Sequence, residues 1–549
     1  MTFIMKIIYR SRILFLLCTI IPFASFSQAF SDTAILIEKI FSRYTPQNPG
    51  CQLSISRNDE VIFSRAWGNA DLENNVPLTT RSIIEAGSVS KQFTAAAILL
   101  LEQQGKLSVN DDVRKFIPEL PNYGIVIRIK HLIHHTSGLK DWGSIAQMTG
   151  WARGTKAYRN EDALEIVARQ KTLNNVPGAE FLYSNSNYNL LAIIVQRASG
   201  MSLAAFTREY IFIPAGMTQT QWRDNYKRIV PNRSIAYVKV DSGYEADMPN
   251  EYVYGNGGLL TTTEDLLKWN AWHFSGKFGN PSLLQKQTAV DTFNNKLINY
   301  YGAGLFIQSV GGIKVIRHTG ATGSYRCYLG YYPELKLSIA WLSNTSQFDT
   351  SKYNVVGEVE KLFFRKKAPL LSKKDEPQTV PLEKIKVYSG RYRNERTANV
   401  IQLEIKDGQL FIDNRMPLKP VGVNVFKVQN DLLSFDKPDA FCWGNEDQDT
   451  VRYIRVEPAD VSAATIGAYT GKYFSDETQS GLTVAQQNGT LLVQVNSYTS
   501  YDLKPIYKDA FRIVDADGVI TFERNEKSKI VKMKISVSRA RNVEFMKMD

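Results

Sequence analysis

Ser88-Val89-Ser90-Lys91-Gln92-Phe93-Thr94-Ala95-Ala96-Ala97-Ile98-Leu99-Leu100-Leu101-Glu102 is the stretch on which the reading of this chain turns. From Phe93 onward it is an apolar helical run, which Gly105 ends as a C-terminal cap. Ser88 therefore stands at a helix N-terminus, where unpaired backbone N–H groups and the positive end of the dipole favour a developing alkoxide or oxyanion. Three residues on, close to one turn of 3.6, Lys91 returns to the same face and reaches the hydroxyl. A lysine in an apolar helix start is harder to charge, so it is available in neutral form to accept a serine proton. The pair reads as a nucleophile with its base.

The same Ser-x-x-Lys spacing recurs at Ser137/Lys140 and Ser434/Lys437. The first has Gly138 inside it and follows a predicted helix over Ile129–His135, so it reads as a turn. The second lies in a strand-rich region, where this spacing puts the two side chains on opposite faces.

Two later segments complete a pattern, Tyr183-Ser184-Asn185 and His318-Thr319-Gly320. Neither is specific alone: Tyr-x-Asn recurs at Tyr158, Tyr254 and Tyr392, and Tyr183 and Asn185 also suit an ordinary turn after Pro177-Gly178. The adjacent His134 and His135 invite a metal reading. The chain has only five His, with no His-Glu-x-x-His or paired-Cys spacing, so both are expected to pack and cap, and no metal or cofactor is expected. Thr262-Thr263-Glu264-Asp265 before Leu266 reads as a helix N-cap.

Taken in order, the three segments resemble the active-site motifs of the serine β-lactamase and penicillin-binding-protein superfamily. The resemblance is to the branch holding class C β-lactamases, D-alanyl-D-alanine carboxypeptidases, D-aminopeptidases and family VIII esterases. It spans about residues 45 to 365 and is carried further by Pro177-Gly178-Ala179-Glu180-Phe181-Leu182, His131-Leu132-Ile133-His134-His135-Thr136-Ser137-Gly138-Leu139, Ile213-Pro214-Ala215-Gly216-Met217 and Gly257-Gly258-Leu259-Leu260-Thr261-Thr262. It implies that Ser88 attacks a carbonyl to give an acyl-enzyme and that Lys91 and Tyr183 share the proton transfers, with the base left open between them. It further implies that Asn185 holds the substrate amide and Lys91 in register. His318, Thr319 and Gly320 would lie on an edge strand beside the cleft, Gly320 allowing close approach, and the backbone N–H of Ala321 would join that of Ser88 in an oxyanion hole. Two positions depart from the class C pattern: His318 stands where Lys is usual, and Ser184 where Ala is usual. A neutral His would be a weak, pH-dependent partner for a substrate carboxylate, which permits carboxylate-free esters and amides.

The fold class expected is α+β: one antiparallel sheet flanked by helices, with an all-helical subdomain, followed by two small all-β domains. Gln52–Ser56 and Val61–Ser64 form a predicted hairpin, and strands return at Lys314–Arg317 and Ser338–Leu342. Beyond the Lys- and Pro-containing stretch 366–382, read as a linker, short alternating runs with turns begin, such as the hairpin Gln402–Ile412. Tyr388-Ser389-Gly390-Arg391-Tyr392 recurs as Tyr469-Thr470-Gly471-Lys472-Tyr473, 81 residues later. The expected boundaries are a leader over 1–27, a hydrolase domain over 28–365 and two related β domains over 383–460 and 461–549, resembling accessory domains of some relatives. Since all three motifs precede residue 325, the β domains are expected to be separable from the chemistry.

At the start, Lys6, Arg10 and Arg12 precede the apolar run Ile13–Ile21 and then small residues at Ser25 and Ser27, the pattern of an export signal cleaved after Ser27. A periplasmic or secreted location is expected. The formal charge is +12, or +9 without those three leader cations, which suits association with an anionic envelope surface. No dense Lys/Arg stripe interleaved with aromatics points to nucleic acid. Of the four cysteines Cys18 falls in the leader, and the three that would remain after its removal, Cys51, Cys327 and Cys442, are an odd and scattered set that does not make a disulfide framework. The reading is an exported serine hydrolase acting on D-amino-acid peptides or cell-wall fragments. The alternatives are an esterase of the same branch or a penicillin-binding sensor with little turnover.

Overall fold

The computed structural model describes residues 32–225, 227–350, 353–364, 381–422, 424–429, 431–444, 450–459 and 463–548. The leader over 1–27 and nearly all of the linker over 366–382 lie outside them. The central sheet contains β1 (Cys51–Arg57), β2 (Glu60–Trp67), β3 (Phe306–Val310), β4 (Ile313–Thr322), β5 (Tyr325–Tyr332) and β6 (Leu337–Ser343). Its order is β3-β4-β5-β6-β1-β2, and every neighbouring pair is antiparallel. The two ends of the hydrolase segment thus meet where Leu53 pairs with Trp341. Every residue of β6 is buried, and its side chains alternate strictly: Leu337, Ile339 and Trp341 enter one apolar cluster, Ala340 and Leu342 the other. A strand covered on both faces follows from that pattern, and helices lie on each side.

One face is covered by a helix over 32–41 and by the helix Val355–Phe363, whose Val355, Val356 and Val359 join Ile37 and Phe41. The other carries α1 (Lys91–Gln103) and α2 (Asn185–Ser199). All eleven residues from Lys91 to Leu101 are buried, so α1 is enclosed on every side, and its run of Ala95-Ala96-Ala97 keeps the neighbouring backbones close. Thr262 caps the helix Thr263–Phe274 by accepting from Asp265 N, as its sequence predicts.

The remaining chain forms two β units. Strands between Gly390 and Arg455 make a nine-stranded sheet whose two edges, Met416–Pro417 and Lys419–Pro420, are separated only by Leu418, so the sheet curls round on itself. Strands from Gly471 to Lys547 make a closed eight-stranded barrel. The sequence repeat has a structural counterpart. Tyr392 donates its hydroxyl to Tyr388 O at 2.9 Å, and Tyr473 donates to Tyr469 O at 2.7 Å.

The two β units relate to the hydrolase part differently. The nine-stranded sheet packs around its own cluster of Tyr392, Leu403, Phe426, Phe435 and Phe441. The barrel instead shares a continuous apolar core with the hydrolase part, in which Trp142, Ile145 and Met148 join Val493, Ile513 and Ile535. Polar contacts reinforce it: Lys140 Nζ lies 3.3 Å from Glu477 Oε2 with both side chains buried, and Asn496 Nδ2 donates to Gly150 O at 3.2 Å. Glu180, 3% exposed, accepts from Arg541 of the barrel and, at 2.7 Å, pairs with Arg396 of the nine-stranded unit. The expectation that the β domains are separable from the chemistry does not fit this packing.

Candidate active site

The turn Gly87–Ser90 runs directly into α1 and puts Ser88 at its entrance. The side chain of Lys91, 0% exposed, crosses back so that Nζ lies 3.0 Å from Ser88 Oγ. Nζ also donates to Asn185 Oδ1 at 3.1 Å and to Asn256 O at 2.6 Å. A neutral amine has two N–H donors and one lone pair. Two of its three partners can only accept, and the third is a hydroxyl able to donate, so the geometry fits an uncharged Lys91 receiving the Ser88 proton. Its environment supports that state. Burial pushes its pKa well below the ordinary lysine range, Arg153 and Arg539 push it further the same way, and Asp141 opposes them.

Tyr183 lies across from Lys91, whose Nζ is 4.8 Å from its ring centroid. Burial raises the phenol pKa, against a lowering hydrogen bond with Ser88, so the phenol keeps its proton. Asn185 is the first residue of α2. Its N–H donates to Asp141 Oδ2 at 2.6 Å, while Asp141 Oδ1 accepts from Ser144 N at 3.0 Å. One buried carboxylate thereby caps two helix starts and fixes Asn185.

His318, Thr319, Gly320 and Ala321 lie on β4. This is the second strand of the sheet, not its edge. The outer strand β3 stops pairing at Arg317, opposite Phe306, so the segment from His318 onward has a free side toward the cleft. Gly320 is needed there for space: a Cβ would stand 2.0 Å from Ala86 O and 3.1 Å from Ser88 N. From the other side, a Cβ on Gly87 would stand 2.7 Å from Ala321 N. These two close approaches bring the backbone N–H groups of Ser88 and Ala321 to one place, the arrangement an oxyanion hole requires. Gly320→Ala is expected to force the strand and the Ser88 turn apart, costing about 2–3 kcal/mol by overpacking. A shift on the order of 1 Å would lower kcat/KM roughly 100-fold. Melting temperature and steady-state rates of the variant check both.

His318 differs from its expected role. It is 2% exposed, and its Nδ1 donates to Thr319 O at 2.6 Å, which leaves Nε2 to accept from Tyr301 OH at 3.1 Å. Burial first, and Lys91 second, lower its pKa to about 3, so it is neutral at physiological pH and both ring nitrogens are spent within the protein. It shapes the cavity wall and is no titrating partner for a substrate. His135, the residue read as packing, holds the second motif: its Nδ1 accepts from Ser184 N at 3.2 Å, and its ring lies 4.2 Å from that of Tyr183.

Ser88, Tyr183, Asn185, His318, Thr319, Gly320 and Ala321 share one cavity of about 420 Å³, with Lys91 behind its wall. Sequence reasoning missed Asn256, Asp141, Arg153 and Arg539. Asn256 had a signal, the recurrence of Tyr-x-Asn at Tyr254-Gly255-Asn256. Ser137 and Lys140, the competing pair, are occupied elsewhere: Ser137 Oγ donates to Asn187 Oδ1 at 2.7 Å, and Lys140 faces Glu477.

A serine and a buried lysine at one helix entrance, a tyrosine and an asparagine opposite, and a backbone pair beside the nucleophile define a β-lactamase-related serine hydrolase. The Beta-lactamase family matches residues 37–356, and the chain belongs to that family. It is 25% identical to a D-aminopeptidase of Brucella anthropi over 94% of this chain and 98% of that protein. It is 29% identical to Penicillin-binding protein 4* of Bacillus subtilis over 56% of this chain and 70% of that protein. Among solved structures, the octameric penicillin-binding protein homologue from Pyrococcus abyssi shares the fold with a TM-score of 0.53 at 20% identity, covering 86% of this chain and 99% of that one.

Proposed function

We propose that this hydrolase forms an acyl-enzyme on Ser88 and cleaves peptides of D-amino acids, after export with removal of the leader at Ser27. The observation that carries the reading is Lys91 Nζ, buried, 3.0 Å from Ser88 Oγ and bonded otherwise only to acceptors. Ser88 Oγ bonds to the substrate carbonyl carbon while its proton passes to Lys91 Nζ, and the resulting oxyanion is held by the N–H groups of Ser88 and Ala321. The carbon–nitrogen bond then breaks, and the amine leaves with a proton delivered from Lys91 through the Tyr183 hydroxyl. Water attacks the ester by the reverse path, giving the acid and restoring Ser88. The D-peptide class is supported by the near full-length similarity to a D-aminopeptidase. Export is supported by the basic, apolar and small-residue order of residues 1–27.

The test is the pH dependence of covalent labelling by a neutral fluorophosphonate, with the labelled peptide identified by mass. Protonated Lys91 has no lone pair, so labelling should rise with pH as that proton is lost, with a midpoint well below the ordinary lysine range because the Lys91 pKa is lowered. The raised pKa of Tyr183 keeps the basic limb level through the usual tyrosine range. Label on Ser137 or Ser434, or a midpoint at the free-lysine value, would sink the assignment.

A further inference from the structure

Two guanidinium groups reach the cleft, and they differ in how far their charge is already neutralised. Arg153 donates from Nε to Glu251 Oε2 at 3.0 Å and makes a second contact from Nη2 to Oε1, and Glu251 is 3% exposed. That pair is closed. Arg539 comes from the turn between the last two strands of the barrel and lines the same cavity as Ser88, Asn185 and Thr319. Its backbone is fastened to the hydrolase part: its carbonyl accepts from Asp141 N at 3.0 Å and from Asn174 Nδ2 at 3.1 Å. Its guanidinium stands 5.1 Å from the centroid of the Tyr183 ring. Among the described residues no carboxylate pairs with it, none accepts a hydrogen bond from it, and no acidic side chain lines the cavity.

A planar fork of unsatisfied donors, held from behind and facing a nucleophile, matches a carboxylate in both charge and geometry. We propose that Arg539 is a specificity residue, supplied by the barrel, that anchors a free carboxylate on the substrate. Resting on the acyl-transfer reading of the cleft, this selects peptide acids over D-amino-acid amides. It also disfavours a protonated amine in the same place, which would meet an uncompensated charge. The role expected of His318 falls to a residue from the other end of the chain.

The test uses the full-length Ser88→Ala protein, which cannot turn its ligand over, and calorimetric titration with N-acetyl-D-alanyl-D-alanine and with its C-terminal carboxamide. The acid should bind about 10- to 100-fold more tightly than the carboxamide, the worth of a charge-assisted hydrogen bond. Adding Arg539→Gln should reduce that advantage to about threefold or less, and Arg539→Lys should restore part of it, since a point charge lacks the fork. An equal preference with and without Arg539, or no preference for the acid in Ser88→Ala, including no measurable binding of either, overturns the proposal. Failure of the acyl-transfer reading appears separately, as absence of label on Ser88 in the otherwise native protein.

Discussion

Lys91→Met is expected to lower kcat by about 10³-fold or more while the protein still folds, because it removes the proton acceptor from Ser88 and keeps the side-chain volume. The amine holds three groups at once, Ser88 Oγ, Asn185 Oδ1 and Asn256 O, and the nearest polar side chain on that face of α1, Thr94, already donates to Gly255 O at 2.8 Å. Asn256 O loses a buried donor in the variant, so a drop in melting temperature of a few degrees should accompany the kinetic loss. Ser88→Ala should be at least as inactive. The double variant should be no worse than Ser88→Ala alone, since the two residues act as one unit. Measured kcat for a D-amino-acid peptide in the three variants checks this. Independent, multiplying losses would show that Lys91 acts on something other than the Ser88 proton.

Ending the chain after Glu457, which removes the barrel, is expected to reduce turnover of small esters and peptides alike, by about 100-fold or more. Truncation takes away Arg539 O, the acceptor of Asp141 N, and Asp141 is the carboxylate that positions Asn185. It also uncovers the apolar surface around Trp142, Ile145 and Met148 that the barrel buries. A point substitution isolates the polar part of the interface. Glu477→Ala leaves Lys140, whose side chain is fully buried, without its paired carboxylate and with Thr172 Oγ1 at 2.8 Å as its remaining hydrogen-bond partner. Breaking a buried pair by removing one partner costs about 3–5 kcal/mol. Thermal unfolding of Glu477→Ala and esterase and peptidase rates of the truncated protein are the measurements. A truncated protein with intact secondary structure and native ester turnover would show that the barrel leaves the cleft's geometry untouched.

What could be read from the chain alone follows the range of the forces involved. Ser88 and Lys91 are three residues apart on one helix, so helical geometry brings them together wherever the helix is placed. The apolar run after them also announces that the lysine is buried. The strand at Ser338–Leu342 and the hairpin around Gln402–Ile412 were legible for the same reason, because a strand's faces are set by its own period of two. The Tyr-x-Gly-x-Tyr repeat likewise marks two strand starts that tie their own backbone within four residues.

The rest required the tertiary structure, because it depends on which distant surfaces meet. Asn256 reaches Lys91 across 165 positions, and its role is carried by a backbone carbonyl, which any residue type possesses. His318 looked like a titrating partner until burial and the Tyr301 hydroxyl on its Nε2 made it neutral and already satisfied. Arg539 sits in a segment whose local pattern says only strand and turn. Its place over Tyr183 is decided by the barrel's docking on the hydrolase part, through Lys140 with Glu477 and the shared apolar core. By itself the sequence placed Ser88 and Lys91 on one helix face and set the faces of individual strands and hairpins, since those rest on local periodicity. Only the packed structure decided which charges face the cleft unneutralised, since burial and ion pairing are properties of surfaces that come together after the helices and strands have formed.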